Sequence, residues 1–285
     1  MALRPPVPSP APGRRLRRLV RAALVGGAVV CALSAASSAL AQGADGRFEK
    51  RSSAHFVLLQ DVAIDEAGGF HGSRRFEQEV LDELERAYDA LDRHLGLRPE
   101  RRIQVEVHDP ALYDARYAGL FRFPAAGFYG GVIRVRGDTR LTRALSRVLH
   151  HELLHAALDA EAPSLILPGW VNEGTAEWFE WREAGKRGLS GRERAALAEL
   201  ARAGHLHSLE TLSMASFGGL GADAAGVAYL ESYALIDFLA RRGGEASLAR
   251  FVAELIRSRH LDRALRRVYR LDAEQLEREF LGELG

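Results

Sequence analysis

Cysteine is nearly absent from the 285-residue chain: the single one, Cys31, lies in an N-terminal apolar stretch that reads as part of a leader. A chain cleaved after that stretch has none, so no disulfide staples it and stability has to come from packing or a bound metal. An excess of charge of one sign is missing too, with 39 Lys plus Arg against 38 Asp plus Glu and a formal net charge of +1. Internal repeats and low-complexity linkers are also lacking. With 47% hydrophobic and 27% charged residues, the composition excludes a disordered, collagen-like or multi-span membrane protein. The length suits one large domain or two small ones.

The neutral total divides unevenly. Residues 1–41 carry six arginines (Arg4, Arg14, Arg15, Arg17, Arg18, Arg21) and no acid, leaving 33 basic and 38 acidic residues, a balance of −5, in the rest. A Pro/Arg-rich stretch to Arg21, an uncharged Ala/Val/Gly/Leu stretch and the small residues Ala39-Leu40-Ala41 follow one another in signal-peptide order. This predicts cleavage before Gln42 and an exported product, periplasmic or extracellular. Left uncleaved, the 20 uncharged residues Ala22–Ala41 are long enough to anchor the chain in a bilayer, the one route to a membrane. Arg14-Arg15 fits twin-arginine export and a plain basic n-region equally. Cys31 follows Val29-Val30 rather than a small residue, which argues against lipid attachment. A net acidic mature chain disfavours nucleic acid as a partner, and the cluster Arg263, Arg266 and Arg267 reads as a solvated helix face.

Past the leader the hydrophobic pattern changes character once, near residue 139, and predicts an α+β fold: an N-terminal α+β lobe over 42–138 and a mostly helical lobe over 139–285. In the first, His55–Leu59 and Ile103–Val107 read as strands. Arg75–His94 reads as an amphipathic helix with Phe76, Val80, Leu84, Tyr88 and Leu91 on one face. Pro110–Pro124 reads as an aromatic-rich loop and Gly127–Arg136 as one further strand. In the second, Thr139 or Asp138 caps a helix running to about Leu158, and another helix follows the Pro168-Gly169 turn. Ser190 with Glu193 makes a capping box for a third. Tyr229–Ala240, Ala246–Ile256 and Ala273–Leu284 supply the rest.

The chemistry gathers on the first helix of the helical lobe, where His151-Glu152-Leu153-Leu154-His155 matches the zinc-protease pattern HExxH. Four residues is just over one turn, so His151 and His155 project from one face and can hold a metal ion between them. Glu152, turned ~100° away, stays near the metal without ligating it, where a base acting on water must sit. The pattern is short enough to arise by chance, and catalytic zinc takes three protein ligands plus water, so a further ligand is required. Trp170-Val171-Asn172-Glu173-Gly174-Thr175-Ala176-Glu177-Trp178 offers two carboxylates one turn apart. One can reach the metal while the other bonds the free nitrogen of a ligating histidine.

These residues resemble the gluzincins, the thermolysin-like clan of zinc metallopeptidases. There an HExxH helix is completed by the Glu of a Trp-Leu-Asn-Glu-Gly-x-Ala segment on the next helix; the closest likeness is to the bacterial peptidase MA-like families. The resemblance runs loosely over nearly the whole mature chain. It implies a Zn2+ cofactor held by His151, His155 and Glu173, with Glu152 as general base and acid and Glu177 as the partner of His151. It also implies a peptide or protein substrate, laid along an edge strand for which Gly127–Arg136 has the right place in the chain. A Tyr or His from the downstream helices should steady the oxyanion, for which Tyr229 is favoured over Tyr233. The 17 residues between His155 and Glu173 are slightly fewer than in the well-known members.

Competing ligands are weaker. The metzincin pattern needs Gly at 158 and His at 161, where Leu158 and Glu161 stand. Asp159 is turned ~80° from His151. His150 reads as a helix flank, His205 and His207 as surface residues, and the cluster Trp170, Trp178 and Trp181 as packing. The reading from another class is a non-catalytic exported binding or assembly protein with a peptidase-like fold. Against it, a protein without hydrolytic activity has no physical need of Glu152.

Overall fold

The computed structural model describes residues 48–62, 64, 72–117 and 119–284. The leader, its cleavage position and Cys31 lie outside the described residues. The fold is α+β: a mixed five-stranded sheet followed by a helical lobe. The strands are β1 (Glu49–Ser52), β2 (Phe56–Gln60), β3 (Ile103–His108), β4 (Gly127–Tyr129) and β5 (Ile133–Arg136), ordered β1-β2-β3-β5-β4 across the sheet. β2, β3 and β5 are parallel, with Leu58 opposite Val105 and Val105 opposite Ile133, and β1 and β4 close the two edges antiparallel.

The first lobe departs from its sequence reading at three places. Gly127–Arg136 is a hairpin rather than one strand: Gly131 takes φ 78°, and Tyr129 pairs with Ile133 across the turn. The aromatic loop begins as helix α2 (Pro110–Tyr117), because Asp109 Oδ1 accepts from the amides of Ala111 and Leu112 and Pro110 fits the first helical position. β1 carried no signal, since its Glu-Lys-Arg-Ser residues are mostly exposed and do not alternate. The helix expected at Arg75–His94 is α1 (Gly72–Leu95), with Phe76, Val80, Leu84, Tyr88 and Leu91 all buried.

The helical lobe contains α3 (Arg143–Glu161), α4 (Gly169–Glu183), α5 (Gly191–Arg202), a single turn α6 (Leu209–Leu212) and α7 (Ala222–Gly243). It ends in α8 (Glu245–Ser258), α9 (Leu261–Tyr269) and α10 (Ala273–Leu284). α3 is capped by Thr142, whose hydroxyl accepts from Leu145 N at 3.2 Å; Asp138 instead bonds the amide of Thr139, so the expected cap moves one turn on. The capping box of Ser190 and Glu193 forms as read. One apolar cluster runs from Phe56 through Leu149, Trp170 and Ile236 to Phe280, joining sheet and helices in a common core. No helix among the described residues is long and apolar enough to cross a membrane.

Two contacts position the site. α3 lies across β4 and β5 on one side and against α1 and α4 on the other. α4 in turn presses closely on α7, where a Cβ on Gly174 would come within 2.3 Å of the Ser232 carbonyl oxygen. Glycine inside a helix costs about 1 kcal/mol relative to alanine. Here it lets two backbones approach and brings α7 side chains to those of α4.

Candidate metal centre

α3 and α4 face each other through matching stripes. On α3, Arg147, His151 and His155 recur every fourth residue; on α4, Glu173, Glu177 and Glu180 follow the same helical face. His151, Glu152 and Glu173 are fully buried, and His155 is 2% exposed. Glu173 Oε2 lies 3.4 Å from His151 Nε2 and 3.6 Å from His155 Nε2. None of these three atoms has a hydrogen-bond partner among the described residues. A tetrahedral ion with bonds of about 2.0–2.1 Å separates its ligand atoms by about 3.3 Å. The spacing and the orphaned lone pairs therefore fit one metal ion, and these residues could hold it.

The other ring nitrogens are answered from α4. His155 Nδ1 is 3.1 Å from Asn172 Oδ1, and the Asn172 amide also donates to Glu173 Oε1 at 3.4 Å. His151 Nδ1 faces Glu180 Oε2 at 3.3 Å. This differs from the expectation that Glu177 would be the partner of His151. Glu177 Oε2 instead accepts from Trp181 Nε1 at 2.9 Å. The physical reason is helical phase: seven residues after Glu173 is nearly two whole turns, so Glu180 returns to the face that meets α3. Arg147 donates to Glu180 and lies 3.5 Å from the centre of the Trp181 ring. A second grouping, His151 with Glu177 and Glu180, also brings its ligand atoms within 4.8 Å of one another. Its atoms His151 Nδ1, Glu177 Oε1 and Glu180 Oε2 also lack hydrogen-bond partners among the described residues, but the second oxygen of each of its carboxylates is held, Glu180 Oε1 by Arg147 and Glu177 Oε2 by Trp181, and it offers one histidine where the grouping with Glu173 offers two.

Four buried carboxylates stand around two histidines, and Arg147 offsets the charge of only one of them, Glu180, so burial and mutual repulsion shift the rest. Burial pushes the Glu152 carboxyl well above its usual range, His151 pulls it back, and Glu173 and Glu180 add repulsion. Burial and then the charge of Glu180 raise Glu177 to about 8. Burial also raises Glu173, but His155 and His151 outweigh it and hold this carboxyl below its ordinary value. His151 is penalised by burial and yet held well above its usual pKa by Glu173 and Glu180.

The two tyrosine candidates separate. The buried hydroxyl of Tyr229 is raised far above its usual pKa by burial and by the charge of Glu173, against which it lies. Tyr233 looks elsewhere, its ring 4.2 Å from Lys186 Nζ and its hydroxyl beside Asp237. Of the histidines set aside, His150 Nε2 reaches back 3.0 Å to Glu83 of α1, and that contact lowers the Glu83 carboxyl to about 2. His205 is exposed, whereas His207 is not the plain surface residue expected, since Glu231 of α7 accepts from its amide and sits 3.1 Å from its ring. Asp159 accepts from the Tyr129 hydroxyl at 2.8 Å, tying β4 to the far end of α3. Trp170 and Trp178 pack as read, but Trp181 holds Glu177 and Arg147 in place. Glu180, Arg147 and Asn172 had no role in the sequence reading. Their signal was present only as spacing relative to Glu173 and His151.

Set against known proteins, the chain matches no family model and none of the curated sequences.

Proposed function

We propose that this chain is a zinc-dependent peptidase of the gluzincin kind. The observation that carries the reading is the convergence of His151 Nε2, His155 Nε2 and Glu173 Oε2, buried and without hydrogen-bond partners among the described residues, beside a fourth buried group, Glu152. Zinc is the metal the donor set suits, since two imidazoles and one carboxylate leave a fourth position open. When bound there it would act as a Lewis acid and acidify water.

The chain's own groups divide the remaining work. Glu152 is placed to take a proton from the attacking water on its carboxylate and to pass it to the departing amine. Tyr229 can donate its hydroxyl hydrogen to the developing oxyanion. β4 is an edge strand: Arg136 N bonds Ala126 O at 2.7 Å, so by antiparallel alternation Gly127 and Tyr129 turn their own amides and carbonyls away from β5. An extended peptide can pair with that open edge. Gly127 packs tightly against α3, since a Cβ there would stand 2.6 Å from Val148 Cγ1 and 3.2 Å from Glu152 Oε1, which sets this edge strand close to Glu152.

The test is metal analysis of purified protein joined to Glu152→Gln. The reading predicts about one zinc per chain in both proteins and a loss of about 10²-fold or more in peptide hydrolysis for the variant. Equal cleavage by the two, or no stoichiometric metal in either, would refute it. An exported, peptide-processing role follows if the leader is cleaved before Gln42, which mass measurement of the exported chain would establish.

A further inference from the structure

The base and the oxyanion donor, two groups that a substrate has to meet, are both shut away: Glu152 is fully buried and Tyr229 only 3% exposed. A short segment of the first lobe, residues 119–126 between α2 and β4, leads from one to the other. The Phe123 ring meets the ring of Tyr229 edge-on at 6.2 Å. Four residues on, a Cβ at Gly127 would stand 3.2 Å from Glu152 Oε1. The segment therefore crosses the interval in which a scissile bond would have to lie.

The ends of the segment are anchored within the first lobe, where Leu120 N bonds Tyr117 O at 3.0 Å and Ala126 O accepts from Arg136 N at 2.7 Å. Its middle is held to the helical lobe more lightly. Arg122 N bonds Gly218 O at 3.4 Å, a long bond, on the loop whose Phe217 also meets the Tyr229 ring edge-on, at 5.5 Å. Phe123 is buried in this contact, whereas Leu120, Arg122 and Pro124 around it are exposed. Room to move lies on the side away from the helical lobe: between the segment and α2 is a cavity of about 680 Å³, with Tyr113, Tyr117 and Phe121 among its walls. A phenyl ring leaving Tyr229 fits there among aromatic partners, so Phe123 has two apolar lodgings.

Resting on the peptidase reading, we propose that residues 119–126 form a strap that keeps the site closed, latched over Tyr229 by Phe123, and that substrate enters only when the strap folds back toward α2. Two alternative packings of one ring make the strap a two-position element, the kind of loop that gates access to a site. Lifting it vacates the ground between Glu152 and Tyr229. It also uncovers the approach to the edge of β4, into which the strap runs.

The test pins and frees the latch in the full chain carrying Cys31→Ser, which has no other cysteine. Arg122→Cys with Gly218→Cys puts a disulfide where the two loops already share a backbone bond. Oxidised, this variant should lose most of its cleavage of a mixed peptide library and release zinc to a chromogenic chelator more slowly, and a phosphine reductant should restore both. Phe123→Ala should open the strap about 10- to 100-fold more often, the worth of one buried ring. That opening is read as faster zinc release and as faster hydrogen exchange at residues 119–125. Exchange needs neither metal nor substrate, so it carries the test alone if the disulfide does not form or no zinc binds. Equal cleavage and zinc release by the oxidised and reduced forms, or exchange unchanged in Phe123→Ala, overturns the strap. The two readings fail separately: a latch that governs zinc release in a chain cleaving no peptide overturns the peptidase and leaves the strap, whereas cleavage indifferent to the disulfide overturns the strap alone.

Discussion

Glu180 lies between two partners on α3, with Oε2 3.3 Å from His151 Nδ1 and Oε1 accepting from Arg147. The carboxylate thus fixes the ring whose opposite nitrogen meets Glu173, and Arg147 offsets the charge that Glu180 would otherwise bury. Carboxylates behind metal histidines contribute about 10- to 100-fold in metal affinity. Glu180→Gln should therefore weaken zinc binding by about that factor, measured by competition with a chromogenic chelator, while Glu177→Gln has the smaller effect. The reverse order would return the role to Glu177.

Tyr229 and Tyr233 stand one turn apart on α7, but only Tyr229 lies against Glu173. Losing a single oxyanion donor costs about 10²–10³ in turnover. Tyr229→Phe should lower kcat by about that amount with KM nearly unchanged, and Tyr233→Phe should leave kcat within a few-fold. Because Tyr229 also contacts Glu173, zinc content is to be measured beside the kinetics; a fall in kcat that follows lost metal would assign Tyr229 to holding the ligand instead.

How much of this was legible varies with the physics of each residue. His151, Glu152, His155 and Glu173 were visible because one helical turn fixes their relative placement, and a helix is a local object. Glu180 and Arg147 lay on the same two faces, but which face meets which is decided by the packing of α3 on α4 and by Gly174 against Ser232. The hairpin within Gly127–Arg136 was marked by Gly130-Gly131, a pair that the alternation of the flanking residues outweighed. β1 left no trace, since a short polar edge strand owes its pairing to its neighbour.

Gly174 offers a direct check on the close approach of α4 and α7. Alanine improves helix propensity by about 1 kcal/mol, yet its Cβ would meet backbone atoms of Ser232 that cannot rotate away. Overpacking of this kind costs about 1–3 kcal/mol. Gly174→Ala should lower stability in a denaturant titration and also weaken zinc binding, because the shift displaces Glu173. A stabilised variant would show that α7 yields easily.

His94 on α1 sits between Glu183 of α4 at 3.1 Å and Glu245 of α8 at 3.0 Å, with Arg182 also paired to Glu245. The Glu183 contact, against the opposing effect of burial, raises the His94 pKa above 6.5. His94 in turn lowers Glu183 below 4.5. A raised histidine contributes stability that is complete below its unfolded pKa and fades as pH rises through the folded one. A lowered carboxylate contributes above its unfolded pKa and fades as pH falls. The cluster is therefore most stabilising between about pH 4.5 and 6.5. The melting temperature should decline from pH 6.5 upward, and His94→Gln should flatten that slope without altering zinc stoichiometry.

Metal removal should expose how far the centre holds the helices together. Without a cation, His151, His155, Glu152, Glu173 and Glu180 remain buried with their charges poorly matched, and no cysteine among the described residues is present to brace α3 against α4. A ligand that binds only the folded chain stabilises it by about 2.7 kcal/mol at a concentration 100 times its Kd. For a chain of this size, each kcal/mol moves the melting temperature by about 2–4 °C. Chelation followed by gel filtration should lower Tm by roughly 5–10 °C, and one equivalent of zinc should restore it. Glu173→Ala should melt at the lower temperature with or without zinc. If the metal-free chain melts with the loaded one, the two helices are held by their apolar faces alone, and Leu149, Leu153 and Trp170 rather than the metal centre define the joint.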